Sequence, residues 1–360
     1  MLTQLQLKNF RCFDSLSVSL KEGFTFFIGA NGEGKTSILE AACVLLRLQS
    51  QRSSTLAPLV QLGAKAFALH GIFHEHALDF RYGRLHRKLQ FDQVDQRSSA
   101  EYLRIARVVS FANVDIEIVR GSSEPRRRYL DFLGAQIDRT YRPTLRAYER
   151  ALRSRNALLK SAQPRLREIA AYDSPLIENG SRLRSLRAKI VERLAPFVTA
   201  AHHDISETKE KIDMSFSPGN AEDFAADLTR SREKETRLRQ TVVGPHRDDV
   251  DLFLEGMPAS VYASEGQQRT LALALKIAQA RAFMEEGAAP LLLIDDVFGE
   301  LDPQRRNALL GALPAESQKL VTATTLQWRK DFNAGVVFEL QDRQWSRREP
   351  SDIDGKARES

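Results

Sequence analysis

Cysteine is nearly absent from this chain, which has only Cys12 and Cys43 among its 360 residues. So low a content argues against a disulfide framework or a thiolate zinc site and suits a reducing compartment. Apolar runs long enough to cross a bilayer are also absent, and the N-terminus lacks the basic-then-apolar pattern of a signal peptide. We therefore expect a cytoplasmic protein that has no membrane partner.

Charge is only mildly unbalanced, with a net charge of +6, and hydrophobic residues make up 42% of the chain. That apolar content is enough for a sizeable core and excludes a globally disordered chain. A basic balance suits a polyanionic partner such as nucleic acid, but a basic protein without such a partner fits the charge equally well. Charge alone therefore leaves the partner open.

Hydrophobic spacing divides the chain into three regions. The N-terminal region alternates as strands do, except at 35–48, where apolar residues share one helix face. Helical spacing dominates 126–235, and strand-like runs then return, beginning with RQTVVG at 239–244. We expect an α/β fold in which both ends of the chain build one domain around a parallel sheet.

The expected fold class is α/β, with a β-rich N-terminal lobe, a parallel-sheet core and an inserted all-helical domain. The α/β head takes residues 1–112 and 236–345, and the helical insertion takes 113–235. Residues 346–360 are polar, and we expect them to form a disordered tail.

The sequence GANGEGKTS fits the phosphate-binding pattern G-x-x-x-x-G-K-[ST]. Its glycines allow backbone N–H groups to converge on phosphate oxygens, and the following helix directs its positive end at the same anion. Lys35 is expected to meet the β- and γ-phosphates and Thr36 to bind Mg²⁺. An ordinary glycine-rich turn is the structural alternative. The expected ATP-binding residues are Gly29, Ala30, Asn31, Gly32, Glu33, Gly34, Lys35, Thr36 and Ser37.

The sequence LLLIDD at 291–296 predicts a buried strand with two carboxylates at its C-terminal end. Asp295 would support the Mg²⁺ as a Walker B aspartate does, and Asp296 stands where a carboxylate could orient the attacking water. We therefore predict Asp296 and Lys35 as catalytic residues. The alternative is a carboxylate pair that only caps the next turn.

The sequence SEGQQRTLALAL, which starts at Ser264, resembles the signature motif of ABC-type ATPases. In that superfamily the serine hydroxyl, the glycine N–H and the helix N-terminus contact the γ-phosphate of a nucleotide held by the partner subunit. The resemblance implies that Ser264, Gly266 and Gln267 bind ATP and that ATP drives formation of a homodimer. GELD at 299–302 resembles the D-loop of the same superfamily. The resemblance implies that the α/β head has the ABC-type ATPase fold. A helix N-cap at Ser264 is the structural alternative.

The spacing of these motifs narrows the class of ATPase. Transporter subunits have a much shorter interval than the one from Thr36 to Ser264, and SMC proteins insert a long heptad coiled coil that this chain lacks. The chain resembles the RecF family of bacterial recombination mediators over nearly its whole length. Besides the ATPase motifs, the resemblance is carried by GSSEPRRRYLDF, YERALRSRNALLK and GPHRDD.

The resemblance implies a weak, DNA-stimulated ATPase with ATP and Mg²⁺ as cofactors, acting in DNA replication, DNA damage repair and the SOS response. It implies binding of double-stranded and single-stranded DNA at junctions in gapped DNA. It also implies that the chain works with RecR and RecO, and through them with RecA, which it helps to load. An SMC-like structural clamp of chromosomes is the alternative function, and a transporter-type ATPase subunit is a third.

Three features depart from the family or are ambiguous. The stretch FANVDI stands where the family has a Pro-Glu-Asp-Leu run, so no Q-loop glutamine can be placed. VTATT lacks a switch histidine, and Thr322 or Thr324 is the candidate for a hydroxyl in its place. In GPHRDD, His246 is either a functional hydrogen-bond donor or a turn histidine bonded to Asp248 or Asp249.

The start of the helical insertion is strongly basic. Residues 126–168 contain twelve Arg or Lys and four Asp or Glu. Such charge suits binding of a phosphate backbone without reading of sequence, although a solvated helical face would have the same pattern. The candidate DNA-binding residues are Arg126, Arg127 and Arg128.

Overall fold

The computed structural model describes residues 1–53, 55–84, 86–163, 165–206, 209–325, 335–341 and 344–348. The chain divides into two compact units. The first unit comprises Met1–Val114 together with the chain from Ala280 onward, and the second is Asp115–Gln279. Both ends of the chain therefore build one unit, as the sequence indicated.

The described strands lie mainly toward the two ends of the chain, and most of the long helices lie in its middle. The strands are β1 (Leu2–Phe10), β2 (Phe13–Ser19), β3 (Phe24–Gly29), β4 (Ala66–Phe73), β5 (His76–Gly83), β6 (Arg87–Phe91), β7 (Val94–Asp95), β8 (Val108–Ala112), β9 (Ile212–Ser217), β10 (Asp249–Leu254), β11 (Met257–Pro258), β12 (Leu291–Asp295), β13 (Lys319–Ala323), β14 (Val336–Gln341) and β15 (Gln344–Arg348). The helices are α1 (Lys35–Arg47), α2 (Glu117–Arg120), α3 (Ser123–Ile137), α4 (Tyr141–Leu159), α5 (Leu166–Ala170), α6 (Asp173–Ser206), α7 (Phe224–Arg230), α8 (Arg232–Leu238), α9 (Ala259–Tyr262), α10 (Glu265–Glu285) and α11 (Pro303–Ala312).

Two six-stranded sheets build the first unit. One is antiparallel, in the order β2-β1-β4-β5-β6-β7. The other runs β15-β14-β3-β13-β12-β8, and its neighbours are parallel except for the antiparallel pair of β14 and β15. Helix α1 contacts strands of both sheets, and every residue from Ile38 to Leu46 is buried. This helix therefore forms the core between the sheets and begins directly after the glycine-rich loop.

The second unit is mainly helical but contains a sheet of its own. The 34-residue helix α6 packs against α4 and against β9. Strand β9 belongs to an antiparallel sheet with the order β11-β10-β9. On α4, residues at helical spacing face the interior, among them Tyr141, Tyr148 and Arg155.

Buried charged side chains tie the second unit together around the GPHRDD segment. Arg187 on α6 donates hydrogen bonds to Asp131 and to Asp248, each at 2.8 Å, and to the Pro245 carbonyl at 2.6 Å. Asp248 is 0% exposed and also accepts the Gly219 N–H at 2.8 Å. A buried carboxylate needs such partners, because an unpaired charge in the interior is costly. This part of the motif is therefore structural.

The structure departs from the sequence prediction at four places. Strand β9 lies within the segment 113–235, which we expected to be all-helical. RQTVVG at 239–244 forms no strand, and its first residue, Arg239, caps α8 in a left-handed conformation. Residues 236–279 belong to the second unit rather than to the head. Residues 346–348 of the expected disordered tail lie in β15, and 349–360 fall outside the described residues.

None of the helices in the described part of the chain is long and apolar enough to span a bilayer.

Replacement of Arg187 by alanine should lower the free energy of unfolding by about 3–5 kcal/mol, because it leaves Asp248 buried without its cation. Chemical denaturation followed by circular dichroism measures the change. The control is Arg128→Ala, which removes an exposed arginine from α3 and should change the stability by less than about 0.5 kcal/mol. Equal denaturation midpoints for wild type and Arg187→Ala would contradict the structural role.

Candidate nucleotide-binding site

The glycine-rich loop joins β3 to α1 through a backbone that only glycine fits. Gly34 has φ 100° and stands at the start of α1. A Cβ at this position would lie 2.7 Å from the Cys12 Sγ and 2.7 Å from the Phe13 ring. Both the left-handed conformation and the lack of space therefore require glycine. The loop consequently lies at the N-terminus of a buried helix, where the first N–H groups have no partner inside the helix.

Lys35 extends its side chain back over this loop. Its Nζ donates to the carbonyls of Gly29 at 2.7 Å and Ala30 at 2.9 Å. Burial lowers the pKa of Lys35, whereas the carboxylates of Asp296, Asp295 and Glu33 act to raise it. These two hydrogen-bond partners are neutral carbonyls, so the contacts themselves leave the positive charge available to a phosphate.

The structure brings Thr36 and Asp295 together from the two ends of the chain. The Thr36 hydroxyl donates to Asp295 Oδ1 at 2.7 Å, across 259 positions of sequence. Thr322 on β13 donates to the same oxygen at 2.8 Å, whereas Thr324 is exposed. Of the two candidate hydroxyls, Thr322 is the one that contacts Asp295, and a switch role for either threonine stays a prediction.

The hydroxyl of Thr36 and the carboxylate of Asp295 fit a magnesium ion. Mg²⁺ prefers oxygen ligands and is usually held by one or two protein groups, with phosphates and waters completing its shell. The described residues contain no cluster of three or more His, Cys, Asp or Glu side chains that could hold a metal ion. The two predicted ligands are adjacent, so their assignment to Mg²⁺ is geometrically consistent and stays a prediction.

Asp296 follows β12 in a left-handed conformation, with φ 58°. Aspartate and asparagine tolerate this conformation better than other residues with a side chain. Its N–H donates to the Thr322 hydroxyl at 2.9 Å. Asn113, which sequence analysis did not single out, donates its side-chain amide to the Asp296 carbonyl at 3.3 Å. The only sequence signal for Asn113 was its place in the stretch that departs from the family.

The signature segment in the second unit forms a helix N-terminus with reciprocal capping. The Ser264 hydroxyl accepts the Gln267 N–H at 3.3 Å, and the Gln267 side chain accepts the Ser264 N–H at 2.8 Å. Ser264 is exposed, and Gly266 lies in the first turn of α10. Capping and contact with a phosphate are compatible, because the exposed helix end keeps its positive dipole. Its role toward ATP stays a prediction.

The three candidate DNA-binding arginines differ in their surroundings. Arg126 binds the Asp249 carboxylate with two hydrogen bonds, at 2.6 and 3.0 Å. Arg127 donates to the Asp248 carbonyl at 2.8 Å, and burial lowers its pKa. Only Arg128 is exposed. Two of the three guanidinium groups are therefore bonded inside the unit and the third is exposed, and the DNA-binding role of these arginines stays a prediction.

His246 is bonded inside the second unit rather than to the aspartates that follow it. Tyr148 donates its hydroxyl to His246 Nδ1 at 2.7 Å, and Nε2 donates to the Thr241 carbonyl at 3.0 Å. Since a carbonyl can only accept, Nε2 carries the proton. Burial lowers the pKa of His246 to about 4, so the ring is neutral at pH 7. Of the two alternatives for His246, a turn histidine bonded to Asp248 or Asp249 is therefore not the one that forms.

With the site described, the chain can be compared with known proteins. Residues 1–344 match the family described as RecF/RecN/SMC N terminal domain. The DNA replication and repair protein RecF of Symbiobacterium thermophilum is 38% identical over 346 residues, which are 91% of this chain and 92% of that protein. This chain belongs to the RecF family. The RecF protein of Gloeothece citriformis, with the same description, is 36% identical over 360 residues, covering 90% of this chain and 93% of its own length.

Solved structures agree with membership of the RecF family. The recombination mediator protein RecF with ATPrS, in the RecFOR pathway, has a TM-score of 0.87 at 28% identity and covers 96% of this chain and 98% of its own. The SMC head bound to the C-winged helix domain of ScpA has a TM-score of 0.55 at 15% identity, over 96% of both chains. The second likeness shows the fold alone. Together they confirm the predicted ABC-type head.

Replacement of Asp296 by glutamate should slow ATP hydrolysis by roughly 10-fold, because glutamate tolerates the left-handed backbone less well and its longer side chain displaces the carboxylate. We expect this loss even though many ABC ATPases carry glutamate at this position. Steady-state kcat at saturating ATP is the measurement. The matched variant Asp296→Asn keeps the backbone preference and removes the charge, so it should prolong the lifetime of the ATP-bound dimer after excess ATP is removed. A glutamate variant faster than wild type would contradict this reading of the turn.

Proposed function

We propose that this chain is an ATP-dependent DNA-binding protein of DNA replication and repair, which binds ATP and Mg²⁺ and dimerises when ATP is bound. Its expected substrate is gapped DNA, bound at junctions of double-stranded and single-stranded DNA. There it would work with RecO and RecR to help load RecA in the response to DNA damage. ATP hydrolysis would be slow and DNA-stimulated, and would serve as a switch.

The observation that carries the proposal is the 2.7 Å hydrogen bond between Thr36 and Asp295. It joins the end of the phosphate-binding loop to the end of β12, which is the arrangement that a nucleoside triphosphate with Mg²⁺ requires. The solved RecF structure with ATPrS supports ATP as the ligand, and the relatives in the RecF family support a role in DNA replication and repair.

The chemistry follows from the side chains at the site. The loop N–H groups and Lys35 would bind the β- and γ-phosphates, and Mg²⁺ held by Thr36 and Asp295 would neutralise negative charge on them. Asp296 would orient a water molecule and accept its proton while the water oxygen bonds to the γ-phosphorus. The bond between that phosphorus and the bridging oxygen breaks, leaving ADP and phosphate.

Dimer formation would couple this site to the signature segment of a second copy. Ser264, Gly266 and Gln267 of one copy would contact the γ-phosphate bound by the other, as the resemblance to ABC-type ATPases implies. ATP would then add contacts that exist only in the dimer, and so shift the assembly equilibrium. Loss of the γ-phosphate would remove those contacts and allow the copies to separate.

Retention on DNA distinguishes this function from its two rivals. A recombination mediator should show ATP-dependent retention on gapped DNA above that on duplex or single-stranded DNA, at a fixed salt concentration. A chromosome clamp should hold intact duplex equally well, and a transporter-type subunit should show no ATP dependence on any of the three. Equal retention with and without ATP would contradict the proposal.

Replacement of Ser264 by arginine should leave ATP binding by the single chain intact and abolish dimerisation, because the long cation cannot fit against a γ-phosphate held by another copy. Equilibrium nucleotide binding and light scattering with ATP measure the two effects separately. Lys35→Ala is the comparison and should lose both, since it removes the cation at the phosphates. An equal loss of ATP affinity in both variants would place Ser264 in its own chain's site and contradict the dimer.

Reversal of charge at Arg128 should weaken DNA binding and lower the slope of log affinity against log salt by roughly 0.9 for duplex DNA, the value for one lost phosphate contact. A salt titration of binding by fluorescence anisotropy gives the slope. Arg165→Glu is the control, because it reverses another exposed arginine, one that already pairs with Glu168 at 2.8 Å. The same slope for Arg128→Glu and wild type would leave Arg128 as a solvated surface residue.

A further inference from the structure

The turn that carries Asp296 is held by side chains outside the phosphate-binding loop, the LLLIDD segment and the signature segment. Its left-handed backbone, with φ 58°, costs free energy in a residue with a side chain and persists only where neighbouring groups fix it. The side chain of this residue is the carboxylate assigned to orient water. Whatever fixes the backbone of the turn therefore also fixes the direction of the carboxylate.

Thr322 fixes the turn from one side. It lies opposite Asp295 in the register of β12 and β13 and is 0% exposed. Its hydroxyl donates to Asp295 Oδ1 at 2.8 Å and accepts the Asp296 N–H at 2.9 Å. Because Asp295 can only accept here and the N–H can only donate, the single hydroxyl proton has one direction. One buried hydroxyl thus orients two consecutive carboxylate residues.

Asn113 fixes the turn from the other side. It directly follows Ala112, which lies opposite Asp295 in the register of β8 and β12. Its side-chain nitrogen donates to the Asp296 carbonyl at 3.3 Å and to the Glu300 carboxylate at 2.6 Å. Glu300 belongs to the GELD segment. A single amide therefore connects the Asp296 turn to the segment that follows it.

We propose that Thr322 and Asn113 are positioning residues for ATP hydrolysis, which act by holding Asp296 in its left-handed turn. The inference rests on the proposed ATPase function. Neither residue is assigned a contact with the reacting atoms, so their effect is on how often the carboxylate points at the water. A misplacement of about 1 Å at such a group is enough to lower a rate roughly 100-fold.

The test compares threonine variants that differ in one group. Thr322→Val removes the hydroxyl and should lower kcat by roughly 10- to 100-fold with little change in the KM for ATP. Thr322→Ser keeps the hydroxyl and should restore most of the rate. Asn113→Ala should also lower kcat at unchanged KM. The matched control is Thr25→Val on β3. Thr25 is also fully buried, but its hydroxyl has no partner among the described residues. The kcat of this variant should therefore equal that of wild type.

A double-mutant cycle shows whether the effect passes through Asp296. In the background of Asp296→Asn, Thr322→Val should leave the residual rate unchanged, because the group that it positions is already missing. The inference is overturned if Thr322→Ser is as slow as Thr322→Val, or if Thr25→Val loses as much activity as Thr322→Val. It is also overturned if Thr322→Val raises the KM for ATP at constant kcat, or if the effects of Thr322→Val and Asp296→Asn on the rate are additive. Hydrolysis that survives Lys35→Ala would instead overturn the proposed function, and this inference with it.

Discussion

The site depends on the adjacency of β3, β13 and β12 in one parallel sheet. Parallel strands end at the same edge, so the loop after β3 and the acidic pair after β12 meet there although the chain between them forms a separate unit. The hydrogen bond from Thr36 to Asp295 forms because these two segments lie at the same edge of the sheet. Strand β13, which lies between the other two, contributes Thr322 to the same oxygen, so side chains from α1 and β13 meet at the carboxylate that ends β12.

The site combines a preformed cation with a constrained carboxylate. Lys35 is held by backbone carbonyls, which leave its charge unneutralised by contact, whereas Asp296 is held through its backbone by Thr322 and Asn113. Groups that are oriented before the substrate arrives need no rearrangement during the reaction, which is how electrostatic stabilisation becomes effective in an enzyme. The short aspartate side chain and its left-handed turn are therefore parts of one arrangement, and a longer acid would change both.

Charge in the second unit is used mostly for architecture. Arg187 pairs with Asp248 and Arg126 with Asp249, the two carboxylates of GPHRDD. His246 of the same motif is neutral and is hydrogen-bonded through both ring nitrogens. Local enrichment in arginine suggests a nucleic-acid surface in the sequence, but Arg126 and Arg127 are partly buried and already bonded to the Asp249 carboxylate and the Asp248 carbonyl. The contrast between Arg126 and Arg128, two positions apart on one helix, shows that exposure decides which arginines remain available.

The sequence by itself was enough to locate the glycine-rich loop, the buried strand that ends in two aspartates and the mainly helical middle of the chain, and to identify the family. Each of these features depends on residue types at short, regular spacing. It also placed Asp296 and Lys35 in the site, since those motifs have a fixed relation to a strand end and a helix start. Only the tertiary structure decided that Thr322 contacts Asp295, that Asn113 contacts Asp296, and that Arg126 and Arg127 are partly buried and bonded inside their unit. These outcomes depend on strand register and on burial between segments far apart in the chain, and neither is encoded in local periodicity.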